Sequence, residues 1–420
     1  MEDGWVRAGK QNICQGVLVL LHNRSPDFKL RSAGFLPTKE KAMRINTGIW
    51  KTALWQFVKM SDKKEWDGLD FISKWLIAAR AAVTPVTLNA GAIAGLLALR
   101  DGIFDPLAWA IVTFGLCMAH GANNLLNDYI DFKRGIDKDA YFRTQYNVHP
   151  LAQGFWTERQ QLAWFAMTSA LALLAGAYAY FYSGFQPGVL VICVFGCAML
   201  LLYSLVLKHW GLGELAIFVV WGPVMVGGVY LVLAGEWTPG VWAAALAGVP
   251  YGLCVASVNV AKHIDKFNED KRRGINTFVV RSGPMVARVA TISAILIAYI
   301  VIACLVASNY FSTCVLLVLF ALRRAFLAGS LLVRPRPTAP LPGFESFWPI
   351  WFSGLYVYHV RSFATLFMMG MWLDTFTHLV ALPLALPANA LGLVALLVAA
   401  LVGVYSTMRS RRKQLVSQFP

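Results

Sequence analysis

The chain alternates long apolar runs with short polar connections. Apolar runs lie at about 82–99, 106–126, 162–183, 188–206, 213–234, 239–260, 286–305, 308–326, 348–374 and 386–407. A helix needs roughly 20 apolar residues to cross a bilayer, so the pattern predicts ten spans. The eighth run is interrupted by Arg323 and Arg324, and the ninth holds His359 and Arg361. If one of these is re-entrant or interfacial, nine spans remain. The short alternating strands of a membrane barrel are absent. The expected fold class is an all-α polytopic membrane protein, a bundle of about nine to ten transmembrane helices.

Residues 1–75 read as a separate extension. They are mixed, basic and Trp-containing, without the apolar core and cleavage site of a signal peptide. "WDGLDFISKWLIAARAA" (66–82) has a helical period of apolar and charged positions. It predicts an amphipathic helix on the membrane surface ahead of the first span. "RPRPTAPLPG" reads as a Pro-rich connection.

Composition agrees with the pattern. Of 420 residues, 58% are hydrophobic and 14% charged, against about a quarter charged in soluble proteins. The mean hydropathy is +0.57. The net charge of +15 would suggest nucleic acid in a soluble protein. Here its placement points to membrane topology instead, and no nucleic-acid partner is expected. Arg100 is the one basic residue found in the odd-to-even connections. Lys133, Arg134, Lys138, Arg143, Arg159, Lys208, Lys262, Lys266, Lys271, Arg272, Arg273, Arg281, Arg334 and Arg336 fall in the even-to-odd ones, and the tail adds Arg409, Arg411, Arg412 and Lys413. The positive-inside rule then puts both ends in the cytoplasm. The seven Cys form no metal-type CxxC and read as small core residues. His120, His149 and His209 form no ligand spacing and read as packed or interfacial.

Two connections carry more than topology requires. "NNLLNDYIDFKRGID" (123–137) closes the second span with Asn and Asp, which are expensive at membrane depth. On a helix, Asn127 and Asp131 are i,i+4 neighbours, as are Asn124 and Asp128. Asp137 follows past Gly135. Hard oxygen donors at this spacing suit Mg²⁺ shared with substrate phosphates, and Lys133, Arg134 and Arg143 suit the phosphate side. "NVAKHIDKFNEDKRRGINT" (259–277) closes the sixth span. There Asp265 and Glu269 are i,i+4 neighbours, followed by Asp270 and by Lys271, Arg272 and Arg273. Two helix ends on one membrane side thus carry acids followed by bases.

"NDYIDFKRGID" resembles the first Asp-rich motif of the UbiA-type intramembrane prenyltransferases. It is most similar to the branch that prenylates 1,4-dihydroxy-2-naphthoate in menaquinone synthesis. "HPLAQG" with "TERQQ", and "YSLVLKHWGLGELAIFVVWGP" (203–223), resemble further segments of that branch. The resemblance covers about 76–305, which would be the prenyltransferase core, leaving 306–420 as C-terminal spans and a basic tail. It implies an all-helical fold with a central cavity open to the cytoplasmic side. The second motif departs from the family's Asn, DxxxD, basic residue and Gly. Asn259, Lys262, Gly274 and Thr277 match, His263 stands where an acid is expected, and extra residues intervene. Asp265 with Glu269, or Asp265 with Asp270, would restore an acidic pair.

The resemblance implies transfer of a prenyl chain from a polyprenyl diphosphate to an electron-rich aromatic acceptor. Asn127, Asp128, Asp131, Asp137, Asp265, Glu269 and Asp270 are the candidate Mg²⁺ ligands. Asn127, Lys133, Arg134, Arg143, Lys208, Lys262 and Lys271 are candidates for the diphosphate. Asp128, Asp131, Asp265, Lys208 and Tyr203 are the candidate catalytic residues, Tyr203 through its ring facing an allylic cation. The implied setting is a bacterial or archaeal plasma membrane, with the site mouth cytoplasmic. Other readings are a different transfer within the fold, such as phosphoribosyl transfer to a polyprenyl phosphate, and a cation-coupled transporter. A transporter places ionisable groups near the midplane, whereas these acids gather at span ends.

Overall fold

The computed structural model describes residues 45–137, 142–340, 345 and 348–379. The tenth predicted span, the basic tail, Lys138 and Cys14 lie outside the described residues. Among the described residues the secondary structure is entirely helical. Three short helices, α1 (Thr47–Trp55), α2 (Lys63–Asp67) and α3 (Phe71–Ala78), precede the bundle. The long helices are α4 (Ala81–Arg100), α5 (Pro106–Lys133), α6 (Glu158–Tyr182), α7 (Pro187–Leu207), α8 (Gly213–Ala234), α9 (Pro239–Asp265), α12 (Pro284–Ala307), α13 (Thr313–Leu332) and α14 (Trp351–Leu379). Between α9 and α12 lie the short α10 (Phe267–Arg272) and α11 (Phe278–Ser282). Seven of the long helices are apolar and long enough to cross a membrane. The other two, α5 and α14, are as long but carry the Asn/Asp run and His359, Arg361 and Asp374 respectively.

Sequence sets these boundaries locally. Pro106, Pro187, Pro239 and Pro284 each stand at a first helical position, where the missing N–H costs nothing and φ is already helical. The helix predicted over 308–326 begins later, at Thr313, as a 3₁₀ stretch, and turns α-helical at Leu322.

α9 sits at the centre, packed on α8, α12 and α14. Its crossing with α8 is a backbone contact. A Cβ on Gly252 would stand 2.6 Å from the Phe218 carbonyl oxygen, and one on Gly248 2.6 Å from that of Gly222. Small residues four apart allow this approach where no hydrophobic force drives helices together. α6 and α7 lie outermost and leave Leu173, Leu174, Val191, Val194 and Leu201 exposed, as lipid-facing side chains should be. At the end away from the Asn/Asp run, Arg100 pairs with Asp101 at 2.8 Å and covers the Tyr310 ring at 4.4 Å. Tyr230 donates to Asp101 at 2.7 Å, and the Ser312 N–H donates to Asp374 at 2.6 Å.

The segment before the bundle is not one amphipathic helix. It breaks after Asp67, and Asp70 starts α3 by accepting from the Ser73 N–H at 2.8 Å. Burial would raise the Asp70 carboxyl, but hydrogen bonds from Ser73, Trp50 and Asn46 bring it down to about 2. Trp66 is buried against Phe155 and Trp156, with ring centroids 5.7 and 5.4 Å away. Gln153 donates to the Met60 carbonyl at 2.9 Å. Residues 45–80 therefore pack on the loop that follows α5.

Candidate active site

α5 runs unbroken through the first acidic segment to Lys133. Its i,i+4 geometry therefore holds, and Asn127, Asp128 and Asp131 are all buried. Asp128 is gripped by two guanidinium groups, those of Arg80 and Arg143. Its other oxygen, Oδ2, is buried without a partner. Lys208 Nζ donates to both oxygens of Asp131, at 2.9 and 2.6 Å. Asn127 donates to Ser204 Oγ at 3.2 Å and accepts from Arg80 at 3.4 Å.

Arg80 was not among the candidates the sequence offered. It has φ +58°, ψ +48°, a left-handed conformation that costs a non-Gly residue roughly 1–3 kcal/mol. That turn separates α3 from α4 and delivers the guanidinium to Asp128. The available signal was a lone Arg between "WLIAA" and "AAVTP", a base at the mouth of an apolar run. Arg143 comes from the loop after α5 and also donates to the Val148 carbonyl at 3.3 Å. Burial, with the neighbouring charge of Arg80, pushes its guanidinium well below its usual range. Its partner there is Asp128.

The end of α7 supplies Tyr203 and Lys208. Residues Tyr203–Leu207 form a π turn, a wide turn that often marks functional positions. Tyr203 lies within electrostatic range of Asp131, Arg80, Glu214 and Lys266. From α9, Lys262 lies within the same range of Lys266, Arg80, Lys208 and Arg143. The structure therefore gathers Asn127, Asp128, Asp131, Arg143, Tyr203, Lys208 and Lys262, and adds Arg80, Glu214 and Lys266.

The remaining candidates are engaged elsewhere. Asp137 accepts from His149 Nε2 at 2.8 Å; burial and the charge of Arg143 lower that imidazole to about 4. Lys133 pairs with Glu158 at 3.1 Å on the surface. Arg134 is exposed and donates to the Leu205 carbonyl at 3.0 Å. Lys271 is exposed. The predicted i,i+4 relation of Asp265 and Glu269 fails because the helix stops at Asp265 and Lys266 adopts φ −111°, ψ 21°. Asp265 accepts from the N–H groups of Phe352 at 3.0 Å and Ser353 at 2.9 Å, and from Arg336 at 3.3 Å. It thus anchors the start of α14. Glu269 pairs with exposed Arg272. Asp270 accepts from His263 Nδ1 at 2.9 Å and pairs with Lys266 at 3.1 Å. Burial would raise its carboxyl, but Lys266 and His263 together hold it below the usual range.

The oxygen donors of the first segment are compatible with a divalent metal shared with substrate phosphate. Asp128 Oδ2 is a buried hard-oxygen acceptor without a partner, on a residue about 60° round α5 from Asp131. Among the described residues no three acidic, His or Cys side chains converge. The protein would thus give a partial shell, completed by substrate phosphate and water, as is usual for Mg²⁺.

A cluster of buried carboxylates ringed by cations lies at one end of an apolar helical bundle, as in a membrane protein with a polar site at the end of its spans. The family model for UbiA prenyltransferases matches residues 88–351, extending past 305 into α14. The protein is similar to UbiA prenyltransferase domain-containing protein 1 of Danio rerio, 27% identical over 273 residues, 62% of this chain and 76% of that protein. It is also similar to 1,4-dihydroxy-2-naphthoate octaprenyltransferase of Escherichia coli K12, 28% identical over 223 residues, 51% of this chain and 70% of that protein. A solved digeranylgeranylglyceryl phosphate synthase structure aligns at 17% identity with a TM-score of 0.49, covering 72% of this chain and 98% of that one. The chain belongs to the UbiA prenyltransferase family. It is an integral membrane transferase of prenyl groups.

Proposed function

We propose that the enzyme transfers a polyprenyl chain from its diphosphate to an electron-rich aromatic acceptor, 1,4-dihydroxy-2-naphthoate, as the name of the Escherichia coli relative suggests. The observation that carries this reading is the buried pairing of Asp128 and Asp131 with Arg80, Arg143 and Lys208. Isolated buried charges are costly, and such pairs are weak devices for stability alone. They suit a site whose cations turn to a substrate anion when it arrives.

In this reading Asn127, Asp128 and Asp131 hold Mg²⁺. When bound, the metal neutralises charge on the departing diphosphate. Arg80, Arg143, Lys208 and Lys262 bind the diphosphate oxygens and stabilise the charge that grows as the C1–O bond breaks. Tyr203 presents its ring to the allylic end of the chain. The electron-rich ring carbon of the acceptor forms the new bond at C1 as the C1–O bond breaks and diphosphate leaves, and that carbon then loses its proton, or its carboxyl group as CO2, to restore the aromatic ring. The apolar walls of the bundle keep water from the reacting carbon. The charge asymmetry of the connections supports a mouth on the cytoplasmic face.

Purified enzyme with Mg²⁺, geranylgeranyl diphosphate and 1,4-dihydroxy-2-naphthoate should yield a prenylated naphthalene by mass spectrometry. Transfer only to a different acceptor would overturn the naphthoate assignment. No transfer to any aromatic acceptor would overturn the reading.

A further inference from the structure

One polar group inside the bundle is unused by the diphosphate site. Thr87 on α4 is fully buried. Its hydroxyl accepts from Trp221 Nε1 at 3.1 Å and lies 2.8 Å from His120 Nδ1 on α5. The His120 and Trp221 rings meet edge to face, with centroids 5.0 Å apart. A hydroxyl has one proton to give. Among the described residues, His120 Nδ1 is the acceptor in reach of it. A neutral His120 that accepts at Nδ1 carries its own proton on Nε2.

That Nε2–H has no hydrogen-bond partner among the described residues, and it is not among the sealed polar atoms; His120 itself is part-exposed. It is therefore not sealed by neighbouring protein atoms, and space lies beside it. Its helix position says which space. At 100° per residue, His120, Asn127 and Asp131 fall within about 40° of one another on α5, with His120 about 10 Å further from the helix end than Asn127. Trp221, also part-exposed, sits in a second π turn, Val220–Val224.

We infer that Thr87, His120 and Trp221 form the seat of the aromatic acceptor, with His120 Nε2–H donating to a ring oxygen and Trp221 packing against the ring. The inference rests on the transfer reading above and adds the residues that choose its second substrate. A polyprenyl chain is hydrocarbon and would leave the N–H unsatisfied, which is costly in a dry site. A ring bearing hydroxyl groups satisfies the donor and offers an apolar face to Trp221. Thr87 is a positioning residue, since it acts by fixing which nitrogen of His120 carries the proton.

The test is steady-state kinetics of wild type, His120→Phe, His120→Gln and Thr87→Val. Each is assayed with 1,4-dihydroxy-2-naphthoate and with 1-hydroxy-2-naphthoate, which lacks one hydroxyl. Wild type should favour the dihydroxy compound, because a site built to bind a hydroxyl rejects the analogue without it. His120→Phe should raise the acceptor KM by about tenfold or more, abolish that preference, and leave the KM for the prenyl diphosphate unchanged. His120→Gln, which keeps an N–H, should retain part of the preference, and Thr87→Val should weaken it. Retained preference in His120→Phe, or equal rises in both KM values, would overturn the seat. If His120→Phe does not fold, full preference in Thr87→Val together with its complete loss in His120→Gln overturns it equally. Wild-type enzyme that prenylates neither compound would overturn the naphthoate assignment, and this seat with it.

Discussion

At the end of α5 the helix continues through Asp131 to Lys133, whereas α9 stops at Asp265 and a six-residue helix restarts at Phe267. Both segments read as acids followed by bases. In the first, helical continuity keeps Asn127 and Asp131 on one face. Their neighbours are Arg80, Arg143 and Lys208 from three other parts of the chain, and one carboxylate oxygen, Asp128 Oδ2, is buried without a partner. In the second, the break sends the three acids three ways: Asp265 to the start of α14, Glu269 to surface Arg272, and Asp270 to His263 and Lys266. The contrast teaches that spacing predicts a shared site only where the helix carrying it is continuous. In the proposed site α5 supplies the carboxylates, and Arg80, Arg143 and Lys208 from elsewhere in the chain supply the cations paired with them.

The largest effect should come from the first segment. Asp128→Asn and Asp131→Asn should each lower kcat/KM per folded molecule by about 10²–10³-fold, the cost of one transition-state charge contact, and also lower the melting temperature, because Arg80 and Arg143 or Lys208 lose a buried partner. Steady-state turnover and a thermal melt of the same preparations check both halves. Near-normal turnover in either variant would break the contrast at its stronger end.

Asp270→Asn should reduce turnover by about tenfold, because it loosens Lys266 and His263 rather than removing a metal contact. A loss equal to that of Asp131→Asn would make the two segments equivalent and erase the comparison.

Asp265→Asn should act on stability. The carboxylate takes two backbone N–H groups of α14 and Arg336, and disturbing a buried acceptor of this kind costs about 1–3 kcal/mol. A lower melting temperature with turnover per folded molecule nearly unchanged is the expected result. Orders-of-magnitude loss of turnover at unchanged melting temperature would return Asp265 to the metal site.

Glu269→Gln should be nearly silent, within about twofold, as exposed ion pairs contribute little. A dead Glu269→Gln would mean that α10 rearranges when substrate binds.

Much of the fold was legible because lipid imposes it. Apolar runs gave eight of the nine long described helices within a few residues at their starts, and the Asn/Asp run marked the bundle end where the buried carboxylates and their cations gather. The misses have local causes. The helix read across Trp66–Ala82 fails because Asp70 caps a new start and Arg80 adopts a left-handed turn. The second acidic pair fails at the break after Asp265. Arg80 escaped notice because its partner, Asp128, lies 48 residues away, and only the folded chain joins them. His120 read as a packed residue, and its hydrogen bond to Thr87 spans two helices.

The central claim is that the metal binds through α5. Mn²⁺ binding followed by electron paramagnetic resonance, with an unreactive prenyl diphosphate analogue present, tests it without turnover. Wild type and Glu269→Gln should bind Mn²⁺ with equal affinity, and Asp131→Asn should bind it at least about tenfold more weakly. Undiminished binding in Asp131→Asn, or loss in Glu269→Gln, would contradict the account.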